Sequence, residues 1–237
     1  MTERERSHQF DPVGATCTGG WSVLVRELPA QVRGGDIYDV IQTKFGLRVL
    51  IGDVMGTGIP ASQTGAEILA GWRAIARTEP TLAGAAVRLH GLVTKSEHPE
   101  RFVTALMANF DSQSWAEFVC CGHPPPLLLT AGTATFVDTY EPAPPLGLLD
   151  MADGWCSPGT FRFTGADRLL LYTDGVSEAR DDARDFFPLA SSAAAAHRAS
   201  GGDGDALLDG LLARLRTHAV DRPMRDDVLL MLVSPVL

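Results

Sequence analysis

Leu47-Arg48-Val49-Leu50-Ile51-Gly52-Asp53-Val54 reads as a β-strand whose apolar run stops at a glycine and a carboxylate. A second strand, residues 37–42, precedes it across the turn-like Lys44-Phe45-Gly46, and a third lies upstream at Trp21–Leu28. From Pro60 the periodicity changes. Ile68, Leu69, Trp72, Ile75 and Ala76 recur at three- and four-residue spacings, which predicts a helix over residues 61–77. Glu79-Pro80 ends it, and Leu82, Ala86, Leu89 and Val93 mark a second helix over residues 81–95. The two form a helical hairpin whose apolar stripe is mainly core. Short strands then return at residues 102–110, Trp115–Cys121, 126–129 and 133–138, separated by Asp, Gly or Pro turns. A proline-rich loop covers residues 141–149, a strongly apolar strand covers 168–173, helices cover 190–199 and 205–218, and a strand covers 228–233. Strands cluster and helices come in pairs between them. That order predicts one mixed α+β domain with largely antiparallel sheets and helices packed outside, and it excludes a doubly wound fold.

A chain of 237 residues leaves a choice between one domain and two. With 45% hydrophobic and 21% charged residues it can bury a sizeable core, which argues against disorder. The formal charge of −9 argues against partners that present phosphate backbones or anionic lipid. No apolar run reaches about 18 residues, and the charged start is unlike a signal sequence, so the expectation is a soluble, cytoplasmic protein. Residues 1–20 carry little pattern and are set apart from a single domain over 21–237, an arrangement compatible with a catalytic piece of a longer chain. Cys17, Cys120, Cys121 and Cys156 show no CxxC spacing, and neighbours in a strand point to opposite faces. They read as small buried residues in a reducing compartment, not as zinc ligands.

The acidic residues fall at unusual places. Gly34-Gly35-Asp36, Gly52-Asp53, Thr173-Asp174-Gly175 and Arg225-Asp226-Asp227 each set a carboxylate beside a strand end. One such element alone is an ordinary turn, because Gly and Asp dominate turns for conformational reasons. Four of them, three adjoining very apolar segments, are harder to dismiss. Aspartates at buried strand ends are poorly solvated and repel one another unless a cation neutralises them. Mg²⁺ and Mn²⁺ prefer such oxygen ligands, and all-carboxylate sites with open positions suit two-metal hydrolysis of phosphate esters. A glycine-rich nucleotide loop before a helix is missing.

The motifs Gly34-Gly35-Asp36-Ile37-Tyr38-Asp39, Gly52-Asp53-Val54-Met55-Gly56-Thr57-Gly58 and Thr173-Asp174-Gly175-Val176-Ser177-Glu178-Ala179-Arg180 resemble signature blocks of bacterial SpoIIE-type, protein phosphatase 2C-like phosphatases. Phe102-Val103-Thr104, Gly122-His123-Pro124-Pro125-Pro126, Pro145-Leu146-Gly147-Leu148 and Asp226-Asp227 extend the resemblance, in the family's order, over roughly residues 30 to 234. It implies an α-β-β-α sandwich: two antiparallel sheets flanked by helix pairs, with two Mn²⁺ or Mg²⁺ ions at one sheet edge. It also implies a phosphoserine/phosphothreonine protein phosphatase that acts through a metal-bridging hydroxide, without a covalent enzyme intermediate. Carried over by position, Asp53 would serve both ions, joined on one of them by the Val54 carbonyl and Asp36. Asp174 and Asp226 would hold the other, with Asp227 as alternate. By the same analogy the substrate would be a phosphorylated anti-sigma-factor antagonist in partner-switching signalling, and the helical hairpin would be able to act as a switch.

Two departures stand out. Thr57 occupies the place of a lysine in many relatives, and Met55 that of a small residue, while every expected ligand is present. Eroded chemistry at these positions would leave a catalytically weak or silent interaction module of the same fold; a hydrolase of small phosphates is a third reading. His123 reads as structural more than as a proton donor, Asp39 as turn-forming or supporting, and Arg33 as a possible partner of substrate phosphate. Arg180 is expected to pair with Glu178 or Asp181.

Overall fold

The computed structural model describes residues 16–30, 35–98, 100–138, 141–152, 156–164, 167–220 and 226–236. In chain order they form β1 (Thr16–Thr18), β2 (Trp21–Leu28), β3 (Asp36–Thr43), β4 (Gly46–Val54), α1 (Gly58–Thr78) and α2 (Leu82–Val93). Next come β5 (Val103–Phe110), β6 (Trp115–Cys121), β7 (Leu127–Thr130), β8 (Thr133–Phe136), a 3₁₀ turn at Leu149–Ala152, and β9 (Gly159–Arg162). Then follow β10 (Arg168–Tyr172), α3 (Asp174–Ser177), α4 (Leu189–Ala199), α5 (Gly204–His218) and β11 (Val228–Pro235). One sheet has the order β1-β2-β11-β10-β7-β8, the other β3-β4-β5-β6-β9, and the strand pairings are antiparallel.

The period-two alternation of strand side chains sets the layers. In β4, Leu47, Val49 and Ile51 face the other sheet, where they meet Val23 and Val25 of β2, Leu169 and Leu171 of β10, and Leu229, Met231 and Val233 of β11. The other face of β4 offers Leu50 and Val54 to Ile68, Trp72 and Ile75 of α1 and to Leu82, Ala86 and Leu89 of α2. A third cluster packs Leu170, Leu230 and Leu232 against α4 and α5 through Leu189, Ala193, Leu207, Leu211 and Leu215. The result is the expected α-β-β-α sandwich, and the helical hairpin of α1 and α2 is core. No helix among the described residues is long and apolar enough to cross a membrane.

Arg48, read above as part of an apolar run, lies on the helix-facing side of β4 and is 1% exposed. Its guanidinium donates to the carbonyls of Ala76 (3.0 Å), Glu79 (2.6 Å) and Pro80 (2.7 Å) and to Asn109 Oδ1 (3.4 Å). It thus satisfies one carbonyl of the last turn of α1, which has no intrahelical donor there, and two carbonyls just past the helix end. A cation buried in this way is tolerated because its hydrogen bonds are met.

Several expectations are corrected. Strand β1 lies within the stretch read as poorly patterned and pairs with β2, while β9, the 3₁₀ turn and α3 were not foreseen; these short segments lack the continuous apolar run that marked the equally short β7. Cys17 is exposed on β1, whereas Cys120, Cys121 and Cys156 are buried, with Cys121 Sγ 3.8 Å from Cys156 Sγ. Arg180 donates to the Arg184 carbonyl (2.7 Å) and stacks over Phe186, with 3.6 Å from its Cζ to the ring centroid, in place of the expected carboxylate pairing.

Arg48→Met leaves the buried Ala76 carbonyl and the part-buried carbonyls of Glu79 and Pro80 without their donor. We expect a loss of about 2–4 kcal/mol in unfolding free energy, measured by urea denaturation. A change within 0.5 kcal/mol, the ordinary range of a surface substitution, would contradict this account of Arg48 (roughly that range in).

Candidate metal centre

The apolar rows between the sheets end in acid. Leu47, Val49 and Ile51 are followed on the same face of β4 by Asp53, and Asp53 lies directly opposite Asp36 in the β3–β4 ladder. The two carboxylates therefore share one face at one open end of the sandwich. From the opposing sheet, Leu169 and Leu171 of β10 lead to Thr173, buried at 0% exposure, whose Oγ1 donates to Asp36 Oδ2 at 2.7 Å and accepts from the Leu229 amide at 3.1 Å. Asp174, immediately after it, opens α3. Asp226 and Asp227 lead into β11; the Asp227 amide donates to Asp226 Oδ1 (2.9 Å), and Asp227 Oδ1 accepts from the Ala30 amide (2.6 Å) at the exit of β2.

Close backbone approach draws these segments together. A Cβ at Gly35 would collide with the Val54 carbonyl and lie 2.7 Å from Asp53 Oδ1; one at Gly175 would collide with the Asp227 carbonyl. The Val54 amide donates to the Gly35 carbonyl at 3.1 Å, fixing Gly35, and with it Asp36, against the end of β4.

The carboxyls respond to burial first and to one another second. Burial pushes Asp36 up to about 9; the Thr173 hydrogen bond opposes this, and the charges of Asp53, Asp227 and Asp174 add to it. Asp53 is pushed up to about 7 by burial and by Asp174, Asp226 and Asp227. Asp174 is raised by burial, Asp226 and Glu178, and its Oδ1 is buried with no hydrogen-bond partner. Among the described residues, no three of these side chains close into a ligand cage, which is consistent with mutual repulsion. The set is all oxygen, repels itself, and leaves a buried carboxylate oxygen unmatched. Those properties fit hard divalent cations.

Asp36, Asp53, Asp174, Asp226 and Asp227 thus lie within one another's electrostatic reach at the same end of the sandwich. Arg33 and Gly34 lie outside the described residues, as does Arg225. His123 is buried: its Nε2 donates to the Tyr172 carbonyl (3.1 Å) and its Nδ1 accepts from Thr104 Oγ1 (3.2 Å), so the ring ties the two sheets together. Burial lowers its pKa to about 4, which keeps it neutral and supports the structural reading. Asp39 pairs with Arg73 of α1 at 2.8 Å and accepts from the Val40 amide, a supporting role. Thr173 is the residue that sequence reasoning missed. Its place in the Thr173-Asp174-Gly175 motif was visible, but its partner is 137 residues away.

A family model described as "Stage II sporulation protein E (SpoIIE)" matches residues 43–235, and the chain belongs to that family. The phosphoserine phosphatase RsbU of Bacillus subtilis (strain 168) is 24% identical over 156 residues, which are 65% of this chain and 46% of RsbU; the chain thus spans less than half of that relative's length. Among solved structures, the RsbU and RsbW domains of Rv1364c from Mycobacterium tuberculosis superpose with a TM-score of 0.75 at 26% identity, covering 94% of this chain and 61% of that one. The PP2C phosphatase domain of SpoIIE from Bacillus subtilis gives 0.71 at 17% identity, with 89% and 62% covered. RsbX in complex with magnesium gives 0.67 at 14% identity, with 93% and 98% covered. The last two likenesses establish the shared fold.

The raised carboxyls set a pH dependence. A carboxyl whose folded pKa lies above its unfolded value contributes stability in full below the unfolded value, and loses it as pH rises to the folded one. Asp53 therefore gives up its share by pH 7 and Asp36 by pH 9. Chelator-treated protein should melt at progressively lower temperature from pH 5 through 7 to 9. A melting temperature that climbs over that range would refute the assignment.

Proposed function

We propose that this chain is a metal-dependent phosphoserine/phosphothreonine protein phosphatase. The observation that carries the reading is the meeting of Asp36, Asp53, Asp174, Asp226 and Asp227, drawn from both sheets, at one open end of a SpoIIE-family sandwich. Asp53, the Val54 carbonyl and Asp36 would hold one divalent ion; Asp53 with Asp174 and Asp226 would hold a second. Asp227 already engages the Ala30 amide, so it is the alternate. Mn²⁺ and Mg²⁺ both suit this donor set, and RsbX, of the same fold, was solved with magnesium. Bound there, such ions supply Lewis-acid stabilisation of phosphoryl oxygens and activate water near neutral pH.

The chain's own residues prepare the site. Thr173 fixes the orientation of Asp36, since one hydroxyl serves both the carboxylate and the β11 backbone. Burial and mutual repulsion disfavour the charged forms of Asp36, Asp53 and Asp174, so these carboxyls would have to give up their protons to hold a cation. His123 has both ring nitrogens engaged and takes no part in proton transfer. The substrate reading, a phosphorylated antagonist of an anti-sigma factor, is supported by the likeness to RsbU and to the RsbU–RsbW domains of Rv1364c.

Two measurements test this. Asp53→Asn and Asp174→Asn should each cut Mn²⁺-dependent turnover of p-nitrophenyl phosphate and of a phosphoserine peptide by at least about 100-fold. Wild-type protein that neither turns over either substrate nor binds Mn²⁺ by calorimetry would favour a silent binding module. Thr173→Val should raise the apparent Mn²⁺ dissociation constant about 10- to 100-fold while leaving the saturated rate much less affected. An unaltered metal titration would remove Thr173 from the site.

A further inference from the structure

The turn after β4 follows directly on Asp53 and Val54, and a cation is anchored over it. In the β4–β5 ladder Asp53 lies opposite Thr104 and Val54 opposite Val103, and the Met55 amide donates to the Phe102 carbonyl at 3.0 Å. Beyond this pair the chain turns, and Gly56 comes against Arg101. Contact bears this out. Arg101 Nη1 donates to the Met55 carbonyl at 2.5 Å, and a Cβ at Gly56 would lie only 2.8 Å from that nitrogen. Gly56 also has φ +96°, so glycine serves both the turn and the space that the guanidinium fills.

One nitrogen of the fork is thus anchored while the rest is unspent. Arg101 Nε is buried with no hydrogen-bond partner, and Nη2 enters no hydrogen bond among the described residues. The neighbouring Glu100 is turned to His98, 3.5 Å away, and does not neutralise it. A guanidinium presents its donors in a planar fork that matches phosphate. A need for such charge exists here. Five carboxylates outweigh even two divalent ions, so an incoming phosphate dianion meets excess negative charge, and Thr57 on the same turn is uncharged.

We infer that Arg101 is a substrate-binding residue that holds the phosphoryl group at the mouth, bringing in from the start of β5 the positive charge that Thr57 does not bring from the turn after β4. The assignment rests on the phosphatase reading above. Arg101 is anchored by the backbone of the turn that follows the Asp53-Val54 ligand pair, so its position is tied to theirs.

The test uses the metal-loaded full chain with Arg101→Gln and Arg101→Lys. Arg101→Gln should weaken inorganic phosphate, read both as an inhibitor and by calorimetric titration, by about 10-fold or more. It should lower kcat/KM by a similar factor on p-nitrophenyl phosphate and on a phosphoserine peptide. Arg101→Lys should recover part of both, with the urea midpoint of each variant at the wild-type value. Unchanged phosphate binding overturns the assignment. A loss confined to the peptide also overturns it, since Arg101 would then serve an acidic side chain flanking the phosphoserine. Wild-type protein without metal-dependent turnover strikes the phosphatase reading instead, and the calorimetric titration then decides Arg101 by itself.

Discussion

Strand alternation places a row of carboxylates where a row of aliphatic side chains runs out. Leu47, Val49 and Ile51 hold the sheets together, and Asp53 continues their line into the open end. The same holds for Leu169 and Leu171 leading to Thr173, which reaches Asp36. The packing that joins the sheets is therefore also what forces the acids into each other's fields. Separating the carboxylates would mean undoing contacts worth far more than their repulsion, because each buried Leu, Ile or Val contributes about 1.5–3 kcal/mol. The mouth is held electrostatically unfavourable by the core behind it.

Polar ties hold the layers at the depth this requires. Arg48 pins the end of α1 to β4, and His123 joins β5 to the end of β10 through Thr104 and Tyr172. Both are buried and hydrogen-bonded, as buried polar groups must be. They fix distances between elements that apolar contact alone would leave free to slide. Thr173 does the same at the mouth, where one hydroxyl meets a carboxylate of one sheet and an amide of the other.

Much of this was legible in the sequence, and the remainder has physical reasons for its silence. The succession of strands and helix pairs followed from periodicity, since long strands and helices declare themselves by period two or 3.6, and the layer order was what the family resemblance implied. The pairing of Asp36 with Asp53 was within reach too: the tight turn pairs Thr43 with Gly46, and counting back along both strands arrives at those two aspartates. What could not be read was anything set by the gap between sheets. Thr173 gains its role only when β10 lies across from β3. Arg48 looked like an interruption in an apolar strand because its acceptors belong to a helix end some thirty residues on. Arg101 sits just outside a strand, where a charge reads as solvated surface. The short strands β1 and β9 carry neither a period nor the apolar run that revealed β7.

The placement of β11 has a consequence for the life of the chain. It runs through the middle of its sheet, between β2 and β10, and brings Asp226 and Asp227 with it. A polypeptide emerging from the ribosome can form the β3–β4 hairpin early, yet β2 and β10 have no common neighbour until residues through Pro235 have cleared the exit tunnel. Until then the carboxylates of Asp36, Asp53 and Asp174 lack two of their neighbours, and the full cluster arrives only with the seam that closes the sheet.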